Sequence, residues 1–143
     1  YTSPTLRAKQ TAQIILKEHD VLLHEDERLK EVNFGVLEGL PCSFVDTLHL
    51  ESPSWLDDLE MDYTSYQGEN IDDVIIRQQK VLKEIEKISN EEDCIVVVGH
   101  GCSLYALIKT LLKDEKIAFP GNASAYILCK KNNEYKLEKY LRL

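Results

Sequence analysis

A single imidazole, His100, stands between Gly99 and Gly101, directly after an apolar run and directly before residues of helical spacing. The run Cys94-Ile95-Val96-Val97-Val98 is rich in β-branched side chains and has no polar alternation. That predicts a strand buried on both faces, as in a parallel sheet. Leu104, Leu107, Ile108, Leu111 and Leu112 then recur at helical intervals. The carboxyl end of a strand, facing a helix N-terminus, is where open α/β sheets hold ligands. Gly99 and Gly101 lack a Cβ, so backbone and ligand can approach closely. The N–H groups of a helix start favour an anion there. Arg7 is the second group of interest. It falls in the first turn of a predicted helix, where its charge opposes the helix dipole, so an anion or carboxylate is expected to compensate it. The third is the run 26–39, in which Leu29, Val32, Phe34 and Leu37 pin a loop to the body and leave carboxylates free between the pins.

These groups need elements to carry them. Ser3 and Pro4 read as N-cap and first residue of a helix running to about residue 18, with Leu6, Ala8, Thr11, Ala12, Ile15 and Leu16 along it. Residues 21–24 form a short strand candidate. Residues 41–51 read as a helix packing Phe44, Val45 and Leu48, and 54–62 as a second short helical piece around Trp55, Leu56 and Leu59. Asn70 caps the longest helix, 71–89, in which Ile71, Val74, Ile75, Gln78, Val81, Leu82, Ile85 and Ile88 recur at helical intervals and Asp72 and Asp73 fall in the first turn. Residues 125–130 and 135–143 flank Lys131-Asn132-Asn133-Glu134 and read as an antiparallel hairpin, with Tyr135, Leu137, Leu141 and Leu143 alternating. Strands and helices in this order predict a three-layer α/β/α domain with a mostly parallel central sheet.

Composition narrows the partners. A net charge of −8 argues against nucleic acid and acidic membrane surfaces, which would repel the chain overall. A small phosphate ester needs only a local cluster of donors and stays open. No apolar run approaches the length of a membrane span. Cys42, Cys94, Cys102 and Cys129 have neither C-x-x-C spacing nor histidines at zinc-site intervals, and read as reduced thiols of a cytoplasmic protein.

Taken together, four stretches resemble the histidine phosphatase superfamily, the phosphoglycerate-mutase-like proteins. Tyr1-Thr2-Ser3-Pro4-Thr5-Leu6-Arg7-Ala8-Lys9-Gln10-Thr11-Ala12 is similar to that family's second-arginine motif. Residues 26–39 resemble its acid loop, with Glu31 four residues before Gly35 and then Glu38-Gly39. Gly68-Glu69-Asn70 followed by Val74 and Arg77 resembles its Gly-Glu-Ser helix entry, and Val98-Gly99-His100-Gly101 its second histidine motif. The likeness runs through the whole chain in order. It implies one domain over 1–143, the C-terminal portion of a longer protein, with 40–70 as a lid or insertion within it. The family's Arg-His-Gly is absent, since Glu18, Leu23, Leu48 and Gly99 precede the four histidines. The nucleophilic histidine is therefore expected upstream, with the first strand and helix.

The resemblance implies a phosphohistidine intermediate, which splits one hard displacement into two easier ones. Arg7 would clamp two phosphate oxygens with its planar fork, while His100 and Gly101 bind another oxygen. Glu31 would protonate the leaving alkoxide and later activate water, a role helped by neighbouring phosphate charge and partial burial. No metal or cofactor is needed. The expected substrate is a small phosphorylated metabolite. The short span between Gly39 and Val98 favours a compact phosphatase over a glycolytic mutase, and a non-catalytic phosphate-binding or scaffold protein is the alternative of another class. A cysteine phosphatase would need C-x5-R, but the sixth residues after the cysteines are Leu48, His100, Ile108 and Tyr135. A serine hydrolase would need G-x-S-x-G, and Tyr105 stands where the last glycine belongs. Trp55, Tyr63 and Tyr66 fall in the region that would cover the pocket.

Overall fold

The computed structural model describes residues 1–48, 58–113 and 116–142. Among these residues four α-helices, α1 (Leu6–Ile15), α2 (Cys42–Leu48), α3 (Ile71–Ile88) and α4 (Gly101–Leu112), precede a hairpin of β1 (Ser124–Lys131) and β2 (Glu134–Arg142). Helix α3 follows its sequence closely. The Asn70 Oδ1 accepts the Asp73 N–H at 2.8 Å, Asp72 and Asp73 occupy the first turn, and Val74, Gln78, Val81 and Ile85 are buried along one face. Such a cap contributes about 1 kcal/mol. Helix α4 packs on α3 and buries Ser103, Tyr105, Ala106, Leu107, Ile108 and Leu112. Helix α1 begins at Leu6, with Thr5 and not Ser3 at the N-cap position. It buries only Ala8 and Ala12, while Leu6, Ile14 and Ile15 face outward.

The loop 26–39 lies where its pins predict. Val32 and Leu37 enter a core cluster with Met61, Tyr63, Ile71, Val74, Ile75 and Ala106, against which Phe34 and Tyr66 pack. Leu29 joins Val81 and Ile85 in a second cluster that touches Tyr1 and Val97. Two glycines let the loop meet residues 66–68 backbone to backbone. A Cβ on Gly35 (φ +61°) would lie 1.9 Å from the Tyr66 carbonyl oxygen, and one on Gly68 would lie 2.4 Å from that of Asn33. Tyr63 is therefore core, not a cover for the pocket.

Parallel pairing is present but short. The segment 1–3 lies between 24–26 and 96–98, bridged in parallel from Thr2 to Glu25 and to Val98. The Thr2 N–H donates to His24 O at 2.8 Å, the Ser3 N–H to Val98 O at 2.9 Å, and the Val98 N–H to Tyr1 O at 3.0 Å. The expectation that 94–98 is buried on both faces is not met. Cys94 is exposed, and Ile95 and Val96 are each 40% exposed. The segment pairs along one edge with 1–3, and among the described residues nothing pairs with its other edge. Residues 21–24 likewise form no strand of their own, and Leu22 is 84% exposed.

Three further expectations need correction. Phe44 and Leu48 of α2 are exposed rather than packed. Residues 58–62 form a turn and a bridge instead of a helix, while Trp55 and Leu56 lie outside the described residues. In the hairpin, Asn132 and Asn133 adopt left-handed backbone (φ 52° and 63°), which suits a tight two-residue turn. A bulge between Ile127 and Leu128 pairs Leu128 with Leu137 but Ile127 with Lys139. The extra residue flips the inward parity, so Tyr140 turns inward and Leu141 is exposed.

Candidate active site

Chain folding brings Arg7, Glu31 and His100 to one place. Thr5, Arg7, Glu31 and Arg77 border a common cavity of about 680 Å³. His100 lies behind it, 7% exposed, as the N-cap residue of α4. Its Nε2 is 2.8 Å from Ser3 Oγ and 3.3 Å from Thr5 Oγ1, so two hydroxyls from the entry to α1 hold the ring. Burial holds the imidazole below its ordinary pKa of 6.5; the Glu31 charge opposes this, and the Arg7 and Arg77 charges add to it. The ring is therefore neutral near pH 7.

The acceptor at the start of α4 is the Glu31 carboxyl itself. Its Oε1 accepts the N–H of Ser103 at 2.8 Å and of Val32 at 3.0 Å, and its Oε2 accepts the N–H of Cys102 at 3.1 Å. Such a carboxylate satisfies donors that a helix start leaves without partners and sits favourably in the helix dipole. The Gly101 N–H is left without a hydrogen bond among the described residues. Glycine at 99 has a packing reason, because a Cβ there would lie 3.1 Å from Leu104 Cγ. At Gly101 a Cβ would only touch the Phe119 ring at 3.4 Å. Glu38, the other acid of the loop, is exposed and accepts the Phe34 N–H at 3.0 Å.

Among the described residues four cations border the cavity, and three are paired. Arg28 binds Asp26 at 2.7 Å and Glu84 at 2.6 Å, Lys30 binds Glu27 at 2.6 Å, and Arg77 binds Glu69 at 2.9 Å. Arg7 is exposed, and among the described residues its guanidinium makes no hydrogen bond or ion pair. Of the anion or carboxylate expected to compensate Arg7, the first turn of α1 supplies none, since it has no acidic residue. Burial raises the carboxyl pKa of Glu69, but the hydrogen bonds of Arg77 and Asn33 and the Arg77 charge outweigh this and hold it below 4.5. The arrangement offers a fork of donors, a buried neutral imidazole, one open helix N–H and a carboxylate around one opening. Such a set suits an oxyanion whose leaving group needs a proton. The Glu69–Arg77 pair was visible in the sequence only as part of a motif. Ser3 and Thr5 were read as helix-entry residues, and nothing in their spacing signals a contact with His100.

The family model described as histidine phosphatase superfamily (branch 1) matches residues 1–141. The probable phosphoglycerate mutase GpmB of Erwinia tasmaniensis is 31% identical over 121 residues, 82% of this chain and 52% of that protein. The chain thus spans about half the length of the curated relatives it matches. A mycobacterial glucosyl-3-phosphoglycerate phosphatase, solved in complex with VO3, superposes with a TM-score of 0.80 at 25% identity, over 96% of this chain and 72% of that one. Bacillus stearothermophilus YhfR shares the fold with a TM-score of 0.76 at 23% identity, over 96% and 70%. On the match along essentially its full length, the chain belongs to the histidine phosphatase superfamily.

Proposed function

We propose that this chain carries the acid and the phosphate clamp of a phosphomonoesterase whose nucleophilic histidine lies upstream in the full-length protein. Its principal support is the Glu31 carboxyl, held at the start of α4 beside buried His100 and across the cavity bordered by Arg7, which is unpaired among the described residues. In the first step an imidazole nitrogen attacks phosphorus, the ester P–O bond breaks, and the departing oxygen takes a proton from Glu31. In the second, Glu31 removes a proton from water, whose oxygen attacks the phosphohistidine and releases phosphate and free imidazole. Glu31 Oε1 accepts two N–H groups and Oε2 only one, so Oε2 keeps a lone pair for the proton. Arg7, His100 and the Gly101 N–H would hold the equatorial oxygens, where charge gathers as the phosphoryl group moves.

In the full-length protein the pairing of 24–26, 1–3 and 96–98 would extend into the mostly parallel sheet of a three-layer α/β/α sandwich, with the upstream strand along the open edge of 94–98. Residues 40–70 would act as the lid, with Phe44 and Leu48 exposed and Met61 and Tyr63 anchored in the core. The Cys94 and Cys129 thiols, outside any disulfide among the described residues, favour a cytoplasmic protein. A small phosphorylated metabolite is the proposed substrate, hydrolysed without a metal ion. Phosphatase structures among the neighbours support hydrolysis, and the relatives named phosphoglycerate mutase support a second reading, transfer to an acceptor hydroxyl. The two differ in whether labelled phosphoryl groups end on water or on added acceptor.

The test is leaving-group dependence in the full-length protein. Glu31→Gln should slow an alkyl phosphate strongly and p-nitrophenyl phosphate little, because nitrophenolate hardly needs a proton. Equal losses on both esters would remove Glu31 from the acid role. EDTA should leave turnover unchanged; activity lost to EDTA and restored by a divalent cation would contradict the metal-free route.

A further inference from the structure

The Arg77 side chain spends every donor it has. Its Nε–H and one Nη2–H donate to Glu69 Oε1 and Oε2 at 2.9 and 3.0 Å. The Nη1 group donates to the carbonyls of Arg28 and Lys30 at 2.5 and 2.8 Å, and the second Nη2–H to the carbonyl of Glu31 at 2.9 Å. Guanidinium has five N–H groups, and five acceptors meet them. Glu69 completes the grip: its Oε2 accepts the Asn33 N–H at 3.0 Å, and its own N–H donates to Asn33 O at 2.8 Å. The main chain is thus held at residues 28, 30, 31 and 33, on both sides of the Glu31 side chain. Loop carbonyls without strand or helix partners must find donors when buried, and here one side chain supplies three of them.

We propose that Arg77 and Glu69 are positioning residues that aim the Glu31 carboxyl at the departing oxygen of the substrate. This deepens the function proposed above and rests on it. Arg77 borders the same cavity as Arg7 yet has no N–H left for a phosphate oxygen. Its effect on chemistry passes through the Glu31 main chain. Glu31 in turn meets Cys102 and Ser103 at the start of α4, so the pair ties α3, the acid loop and the His100 helix into one frame. Lysine would keep the charge but could not span three carbonyls and a carboxylate, since it lacks the planar fork.

The experiment compares Arg77→Lys, Glu69→Gln and Glu31→Gln in the full-length protein. It measures kcat and KM on an alkyl phosphate and on p-nitrophenyl phosphate, together with inhibition by vanadate. Arg77→Lys should lower kcat on the alkyl ester by about 10- to 100-fold, as a misplaced catalytic group does. On p-nitrophenyl phosphate the loss should be slight, and KM and vanadate inhibition should hold. Glu69→Gln, which keeps the shape of the side chain, should give the same split with smaller size, and it carries the test if Arg77→Lys does not fold. In the Glu31→Gln background Arg77→Lys should cost little more. A split in Glu31→Gln with none in either positioning variant overturns the proposal alone. Weakened vanadate inhibition in Arg77→Lys also overturns it, by making Arg77 a phosphate ligand. No split in Glu31→Gln overturns the acid role and the positioning role together.

Discussion

At the entry to α1, Arg7 stands exposed with no hydrogen bond or ion pair from its guanidinium among the described residues. On α3, Arg77 lies mostly buried, with all five N–H groups donated to the acid loop and Glu69. Both border one cavity, and both lower the pKa of His100. The difference lies in where their donors go. On the function proposed above, an arginine whose fork is satisfied internally would serve as framework, and one whose fork is open among the described residues would serve a ligand. Residue type and proximity to the site do not separate the two roles; the count of donors in use does.

The largest expected effect falls on Arg7. In the full-length protein Arg7→Ala should lower kcat/KM by about 10²- to 10³-fold, the usual loss when a donor to a charged transition state is removed. Thermal unfolding should report a stability change within about 0.5 kcal/mol, because the side chain has no partner to lose among the described residues. Arg77→Ala should do the reverse on stability. It strands Glu69 and three loop carbonyls, at a cost on the order of 2–3 kcal/mol by denaturant unfolding. If Arg7→Ala proved the more destabilising of the two, the contrast between framework and ligand would fail.

Smaller effects sharpen the picture at the helix ends and in pH. Asn70→Ala removes the acceptor of the Asp73 N–H and should cost about 1 kcal/mol without changing the leaving-group dependence. For His100, burial lowers the folded-state pKa below 6.5. Above that pH the ring is neutral in both states. As the pH falls below 6.5 the unfolded chain takes up the proton first, so stability declines until the folded pKa is reached. The melting temperature should therefore fall between pH 7 and 5.5, and His100→Gln should flatten that fall. The depressed pKa of Glu69 acts in a separate window, where its contribution is lost below about pH 4.5.

What could be read from the sequence was local. The Asn70 cap, the face of α3, the α4 helix, the hairpin turn and the pins Leu29, Val32 and Leu37 all follow from patterns within a few residues, and each lies where it was expected, save that Ile88 at the end of the α3 face is 74% exposed. Arg7, Glu31 and His100 could be singled out by motif, but their partners could not. Glu31 meets N–H groups of Cys102 and Ser103, and Arg77 meets main-chain carbonyls; backbone atoms leave no trace in side-chain patterns. The run 94–98 misled for a related reason. Its composition reports the covering a strand is built for, whereas Ile95 and Val96 are exposed among the residues described. In β2 a single bulge turned Leu141 outward, a change of parity that alternation alone does not reveal.

Vanadate inhibition of the full-length protein separates clamp from framework when it is measured in two variants, Arg7→Ala and Arg77→Lys. Vanadate stands in for the five-coordinate phosphoryl group, so its affinity reads the clamp and not the acid. Arg7→Ala should weaken inhibition by about 100-fold or more, while Arg77→Lys should leave it unchanged. Unaltered inhibition in Arg7→Ala would contradict the assignment of Arg7 as the clamp and, with it, the account of this site.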